Sequence, residues 1–393
     1  MFVLFLFAHF DKEFRALYKF LVLMADLTAK WFQAVAKGYT KVIEMNIDKY
    51  AHTKDELGET ALMKVARMGN RELVEILAPH ESGDINIKME TALMIAAASQ
   101  SAEIVRLLAE LEPCCRLKDG CTALMIATMS SNVEAVKILV NLEGGLQRLD
   151  GATALMLAAK KNIHSVIPIL LPVENKIQDK TGWTALMYAA KSNALDALRL
   201  LCAEEANISE ENGKTALMIA VQAGNFDVIE DLSRYEAGNR NKLGWTALMQ
   251  AVQDNNIDAA KLLAAVENGL QSNNGMTALM IAAQSNFLEI VLLLCDVEDM
   301  YQDSRGRTAL MHAAYAGHVD IVKILADREA LVVDTNGMTA MMVAAFAGHL
   351  EVVEFLSAKE AKIKCKNGKS AYDYAASKNH KAICEYLRPL ESF

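Results

Sequence analysis

Proline and aromatic residues are scarce in this chain: 5 prolines in 393 residues, and 6% Phe, Trp and Tyr together. Few prolines leave long stretches able to stay helical, and abundant alanine, leucine and methionine favour helix as well. No excess of basic charge is present. The formal net charge is −9, which argues against a general nucleic-acid binder, since such proteins carry a basic face. The cysteines number seven, an odd and scattered set without a Cys-x-x-Cys pair. That pattern does not fit a disulfide framework, so reduced thiols in or near a core are expected. Long apolar runs are missing too. The stretch 2–8 is too short to span a membrane, and Asp11, Lys12 and Glu13 follow it closely. It has no basic segment before it and no clear cleavage site, so it does not read as a secretory signal. Residues 1–23 are expected to be an extension outside the fold, with Met24 as a second plausible start. Hydrophobic residues nevertheless make up 53% of the chain, ample for a core and far from the composition of disorder.

What the chain does have is a repeat. Thr-Ala-Leu-Met begins at Thr60, Thr91, Thr122, Thr153, Thr184, Thr215, Thr246, Thr277 and Thr308. A variant, Thr-Ala-Met-Met, begins at Thr339, and a degenerate Ser-Ala-Tyr-Asp at Ser370. Every step is 31 residues, with no insertion or deletion, so all copies share one register and can be read as one structure. With the threonine as position zero, glycine stands at minus two in every copy but one, where Met89 replaces it. Glycine suits the positive φ of a tight turn, and a distorted turn is expected before Thr91. The threonine itself is placed to cap a helix. Leu and Met follow at plus two and plus three, then two small residues at plus five and plus six. At plus nine the chain carries Gly or Asn, the residues that best accept the left-handed conformation at a helix end; Gln100 and Ser131 are weaker there. A second apolar stripe at plus 13, 14, 16 and 17, as in Ile104, Val105, Leu107 and Leu108, has helical spacing. Each repeat therefore reads as turn, short helix, tight link, longer helix and loop. One repeat alone cannot bury its apolar faces, but stacked neighbours can.

Gly-x-Thr-Ala-Leu-Met-x-Ala-Ala, with Gly-His at the helix link (Gly317-His318 and Gly348-His349), resembles the ankyrin repeat, over about Leu57 to the C-terminus. The usual ankyrin unit is about 33 residues and reads Thr-Pro-Leu-His. The shorter Thr-Ala-Leu-Met form is similar to the large ankyrin-repeat family of diplomonad protists. The resemblance implies an all-α solenoid of stacked helix-turn-helix units with short β-turn loops. It also implies that the motif histidine, which in ordinary ankyrins hydrogen-bonds between neighbouring turns, is lost here. The methionines that replace it are expected to pack instead, leaving the turn stack less rigid. The expected organisation is a degenerate N-terminal capping repeat over 24–57, ten in-phase repeats over 58–369 and a C-terminal cap over 370–393. Pro168 and Asp231 break the pattern of the second helix, which reads either as a tolerated irregularity or as a bend or weak seam in the array.

Chemistry was sought in the same frame. Gly213-Lys214-Thr215 and Gly368-Lys369-Ser370 imitate a phosphate loop, but the glycine required five residues earlier is Ile208 and Ile363. His318, His349 and His380 fall one per repeat, on helices spaced about 8–10 Å apart, and read as helix-link residues rather than a zinc site. No serine-histidine-acid, zincin or kinase signature occurs. The expectation is a chain that is not an enzyme, with no cofactor, no metal and no small-molecule substrate.

Function in such an array belongs to positions the fold leaves open. By resemblance these are minus one, plus seven and plus eight, which line the concave face. Within this chain they vary while the core positions do not. Two clusters stand out: Trp183 with Lys160, Lys161 and Lys191, and Tyr315, Phe346, Arg307 and Met338 with Trp245 and Met276 further back. Aromatics, Met and Arg are enriched at interface hot spots. The competing reading has tryptophan packing on the next turn and the lysines forming an ordinary solvated face. The expected role is a monomeric scaffold or adaptor that binds other proteins, not nucleic acid or membrane. Its expected place is the cytoplasm, with the cytoskeletal association common in the family. The alternative is a regulatory or targeting subunit of a kinase or cytoskeletal complex.

Overall fold

The computed structural model describes residues 27–391; the extension expected over 1–23 and the start at Met24 lie outside the described residues. Among the described residues the secondary structure is helical, with no strand. The chain divides into two compact units, up to Lys180 and from Thr181, each built from the same element. A first helix starts directly after the motif threonine, as in Ala61–Met68 and Ala278–Gln284. A second follows the tight link, as in Arg71–Glu81 and Leu288–Leu294. Within each unit, first helices pack side by side, and each second helix packs on its own first helix and on its neighbours' second helices. The all-α repeat architecture is thus the one the 31-residue period implies.

The residues at plus nine all take the left-handed conformation, including Gln100 (φ 65) and Ser131 (φ 56). The apolar stripe is narrower than its spacing suggests. Ile104, Val105 and Leu108 are buried, whereas Leu107 at plus 16 is only partly so. Asp231 therefore does not interrupt a core position; it is paired with Arg199 of the preceding repeat at 2.8 Å. Pro168 likewise sits in the first turn of Ile167–Glu174, after a 3₁₀ turn at His164–Val166, where a missing N–H breaks no helical bond. Pro172 is the proline inside that helix. Nor is the turn before Thr91 distorted. Met89 adopts φ 66 and donates its N–H to the Asn86 carbonyl at 3.0 Å, as Gly58 does to Asp55 at 2.9 Å. An L-residue held there costs about 1–2 kcal/mol.

At the N-terminal end a helix over 27–37 and the short Thr40–Glu44 and Ile47–Tyr50 carry Trp31 stacked on Tyr50, ring centroids 5.5 Å apart. At the other end Asp373, standing where other repeats have Met, closes a capping box with Ser370.

The ten motif methionines are buried, each 3% exposed or less. Backbone bonds join successive turn tips, for example Leu149 N–H to Asp119 at 2.9 Å in one unit and Ser304 N–H to Asn274 at 2.9 Å in the other. A second device went unread in the sequence: a glutamate at plus 21 in each motif repeat from Thr60 to Thr339, from Glu81 to Glu360. All ten are buried. Each accepts the N–H of the residue at plus two of its own repeat, at 2.6–2.8 Å. The threonine cap bonds are longer, 3.3–3.5 Å, so the carboxylate is the stronger partner of the first turn. In seven of them (Glu112, Glu174, Glu236, Glu267, Glu298, Glu329 and Glu360) the other oxygen reaches the preceding repeat, taking the N–H of Gly83, Gly145, Asn207, Gly238, Gly269, Met300 or Leu331 at 2.9–3.3 Å.

Burial pushes seven of these glutamates (Glu81, Glu143, Glu174, Glu236, Glu267, Glu298 and Glu329) above the ordinary glutamate pKa, against the opposing pull of their backbone N–H donors. A carboxyl with a raised folded pKa binds its proton more readily folded than unfolded. Its contribution to stability is full below the unfolded value and is lost as pH rises through the folded one. Stability is therefore expected to rise as pH falls from neutrality through the raised folded pKa towards the ordinary glutamate value of about 4.3, read as an increase in urea midpoint. A midpoint that drops over this interval contradicts the account.

Candidate functional site

The turns and the first helices bound a series of grooves. Residues at minus one project from the turn tips, and residues at plus four and plus seven face them from the first helix. In the unit up to Lys180, a groove of about 540 Å³ is lined by Glu59, Arg67, Glu90, Ile95 and Ala98 among others. Its charges are satisfied internally: Arg67 bonds to Glu59, and Glu90 accepts from Asn86 at 2.8 Å.

In the unit from Thr181, a smaller groove of about 330 Å³ holds Trp183, Lys191, Lys214 and Gln222. The Lys191 ammonium lies 5.0 Å from the Trp183 ring centroid, and the ring meets Tyr188 edge-on at 5.3 Å. The lysine of the phosphate-loop imitation, Lys214, is spent on Gln222 at 3.0 Å. Lys160 and Lys161 are exposed at the end of a first helix in the other unit.

A third groove, about 660 Å³, brings together Trp245, Met276 and Arg307 with Gln253, Gln284 and His312. Asp303, five residues before the Thr308 motif, organises its rim. One carboxylate oxygen accepts the N–H groups of Arg305 and Arg307, both at 2.8 Å, and the other lies 3.2 Å from His312 Nε2. The carboxylate only accepts, so that nitrogen carries the proton. Burial lowers the His312 pKa, with Asp303 opposing the shift, which keeps the ring neutral near pH 7.

Tyr315, Met338 and Phe346 do not line this groove. Tyr315 is 50% exposed. Phe346 is half-buried, set edge-on to Tyr374 at 6.3 Å and covered by Lys378 at 4.5 Å; Met338 is also half-buried. The link histidines serve the stack. His318, His349 and His380 bond to the carbonyls of Gln284, Tyr315 and Phe346, one repeat back, at 2.9–3.2 Å. Gly317 leaves room for the next histidine, since a Cβ there would fall 2.6 Å from the His349 ring.

Sequence reasoning missed Asp303 and did not single out Gln253, Gln284 or His312. The period-31 recurrence of Asp, Asn or Ser at minus five, as in Asp55, Asn86, Asn241, Ser272, Asp303 and Asp334, was the available signal for the first. All seven cysteines are free, and burial pushes the thiols of Cys121 and Cys202 up to about 11 and about 12. Among the described residues no cluster of His, Cys, Asp and Glu is placed to hold a metal ion, and no helix is long and apolar enough to cross a membrane.

A family model described as ankyrin repeats (3 copies) matches the chain in overlapping segments: 31–119, 110–177, 124–211, 164–237, 204–273, 231–301, 248–336, 296–367 and 328–392. No curated protein matches the chain.

Proposed function

The chain belongs to the ankyrin-repeat family, and from that premise we propose that it is a non-catalytic scaffold or adaptor that holds partner proteins along the grooves between its turns and first helices. Repeats of this family are generally protein-interaction modules. The observation that carries the reading is a contrast within one chain. Positions that pack are nearly invariant from repeat to repeat, while minus one changes from Glu59 to Trp183, Trp245, Met276 and Arg307. Those are the positions that line the grooves. Tryptophan, methionine and arginine are residue types enriched at protein interfaces. The 31-residue step and the motif methionine place the chain, in our reading, with the diplomonad type of these arrays. A cytoplasmic site of action, with a cytoskeletal association, belongs to the same proposal.

Tyr315→Ala combined with Phe346→Ala is expected to deplete captured partners several-fold in pull-downs from the native cell, since aromatic anchors dominate interface energies. Circular dichroism should show the helices retained. An unchanged capture profile removes this surface from the proposal.

A further inference from the structure

The three grooves differ in how their charges are used. Arg67 is held by Glu59, Lys191 stacks on Trp183, and Lys214 is bonded to Gln222. Arg307, in the groove of about 660 Å³, is different. Its Nε is shut from solvent and has no hydrogen-bond partner, and among the described residues no carboxylate pairs with its guanidinium. The acid in the same groove, Asp303, faces backbone N–H groups and His312 instead. Trp245, Met276 and Ile281 line the same, largely polar groove, with the amides of Gln253 and Gln284 one repeat apart on the first helices.

A groove holding a guanidinium without an ion-pair partner beside an aromatic ring and a thioether is complementary to a ligand carrying a carboxylate beside an apolar side chain. We propose that this groove binds an acidic linear peptide segment of a partner protein. One Asp or Glu side chain forks onto Arg307, an adjacent apolar residue packs on Trp245 and Met276, and the two glutamines meet the peptide backbone. The proposal rests on the groove reading above and adds the chemistry of the occupant.

The test is selection of a random dodecapeptide display library on the full chain and on three Arg307 variants. Wild type is expected to enrich Asp or Glu next to apolar residues. Arg307→Lys keeps the acidic preference with weaker binding, because it keeps the charge and loses the fork. Arg307→Gln loses the preference, lowering affinity for the selected peptides about tenfold or more, and Arg307→Glu turns it towards Lys and Arg. Equal urea midpoints for wild type and Arg307→Gln show that the fold is not the cause. Enriched peptides without an acidic excess, peptides that Arg307→Gln selects equally, or no enrichment at all overturn the proposal. If peptides that ignore Arg307 still displace natural partner proteins, the groove-binding reading stands and only the acidic occupant is lost.

Discussion

Glu267→Ala is expected to destabilise its unit by roughly 2–4 kcal/mol, because it strands one buried and one half-buried backbone donor, at about 1–3 kcal/mol for the buried one, and opens a cavity as well. The Glu267 carboxylate takes the Leu248 N–H at 2.6 Å inside its own repeat and the Gly238 N–H at 2.9 Å in the loop of the repeat before. One side chain thus ties the end of a second helix to the start of the first helix and to the neighbouring repeat. Glu267→Gln should recover only part of the loss, since its NH₂ group must face one of two N–H donors. Glu289→Ala, at an exposed position on a second helix, is the control and should stay within about 0.5 kcal/mol. Urea midpoints measure the difference, and hydrogen exchange at Gly238 and Leu248 shows where it falls. Equal midpoints for the Glu267→Ala and Glu289→Ala variants would show that the ladder contributes nothing.

Gly275→Ala should cost about 3 kcal/mol, against about 1 kcal/mol for Gly224→Ala. Both glycines hold positive φ, 79° and 72°, so both variants carry the left-handed penalty. They differ in what surrounds them. A Cβ on Gly275 falls 2.7 Å from the Ser304 nitrogen and 2.9 Å from the Asp303 backbone, where turn meets turn, whereas a Cβ on Gly224 meets nothing within 4 Å. The Ser304 N–H bond to Asn274 must lengthen, and Asp303, which orders the rim of the Arg307 groove, must move with it. Urea midpoints compare the two variants, and similar losses for both would mean that the turns are not in contact.

The repeat frame was legible because it is local and periodic. Gly275, Thr277 and Asn286 mark the turn, the start of a first helix and its end within a dozen residues, and the same marks recur at every step. The two irregularities singled out in sequence have local settings the pattern cannot carry. Asp231 faces Arg199 from the next helix, and Pro168 falls in a helix's first turn only because the chain enters that helix through a 3₁₀ turn. The glutamate at plus 21 recurred as faithfully as the threonine. An acidic residue near a helix end looks like a solvated side chain until its burial is known. The groove residues were legible as a set of variable positions, but their grouping was not: Trp245, Met276 and Arg307 share one cavity, while Phe346 turns to Tyr374 and Lys378.

By itself the sequence determined the unit: its period, its two helices, its left-handed links and its buried Leu-Met pair, since each follows from backbone preference and apolar spacing within 31 residues. Tertiary structure alone decided which polar groups act as mortar and which are left lining a groove. A carboxylate at a helix end and a guanidinium at a turn tip are both hydrophilic in the chain. Only stacking decides that Glu267 meets two N–H groups while the Arg307 Nε is buried without a hydrogen-bond partner.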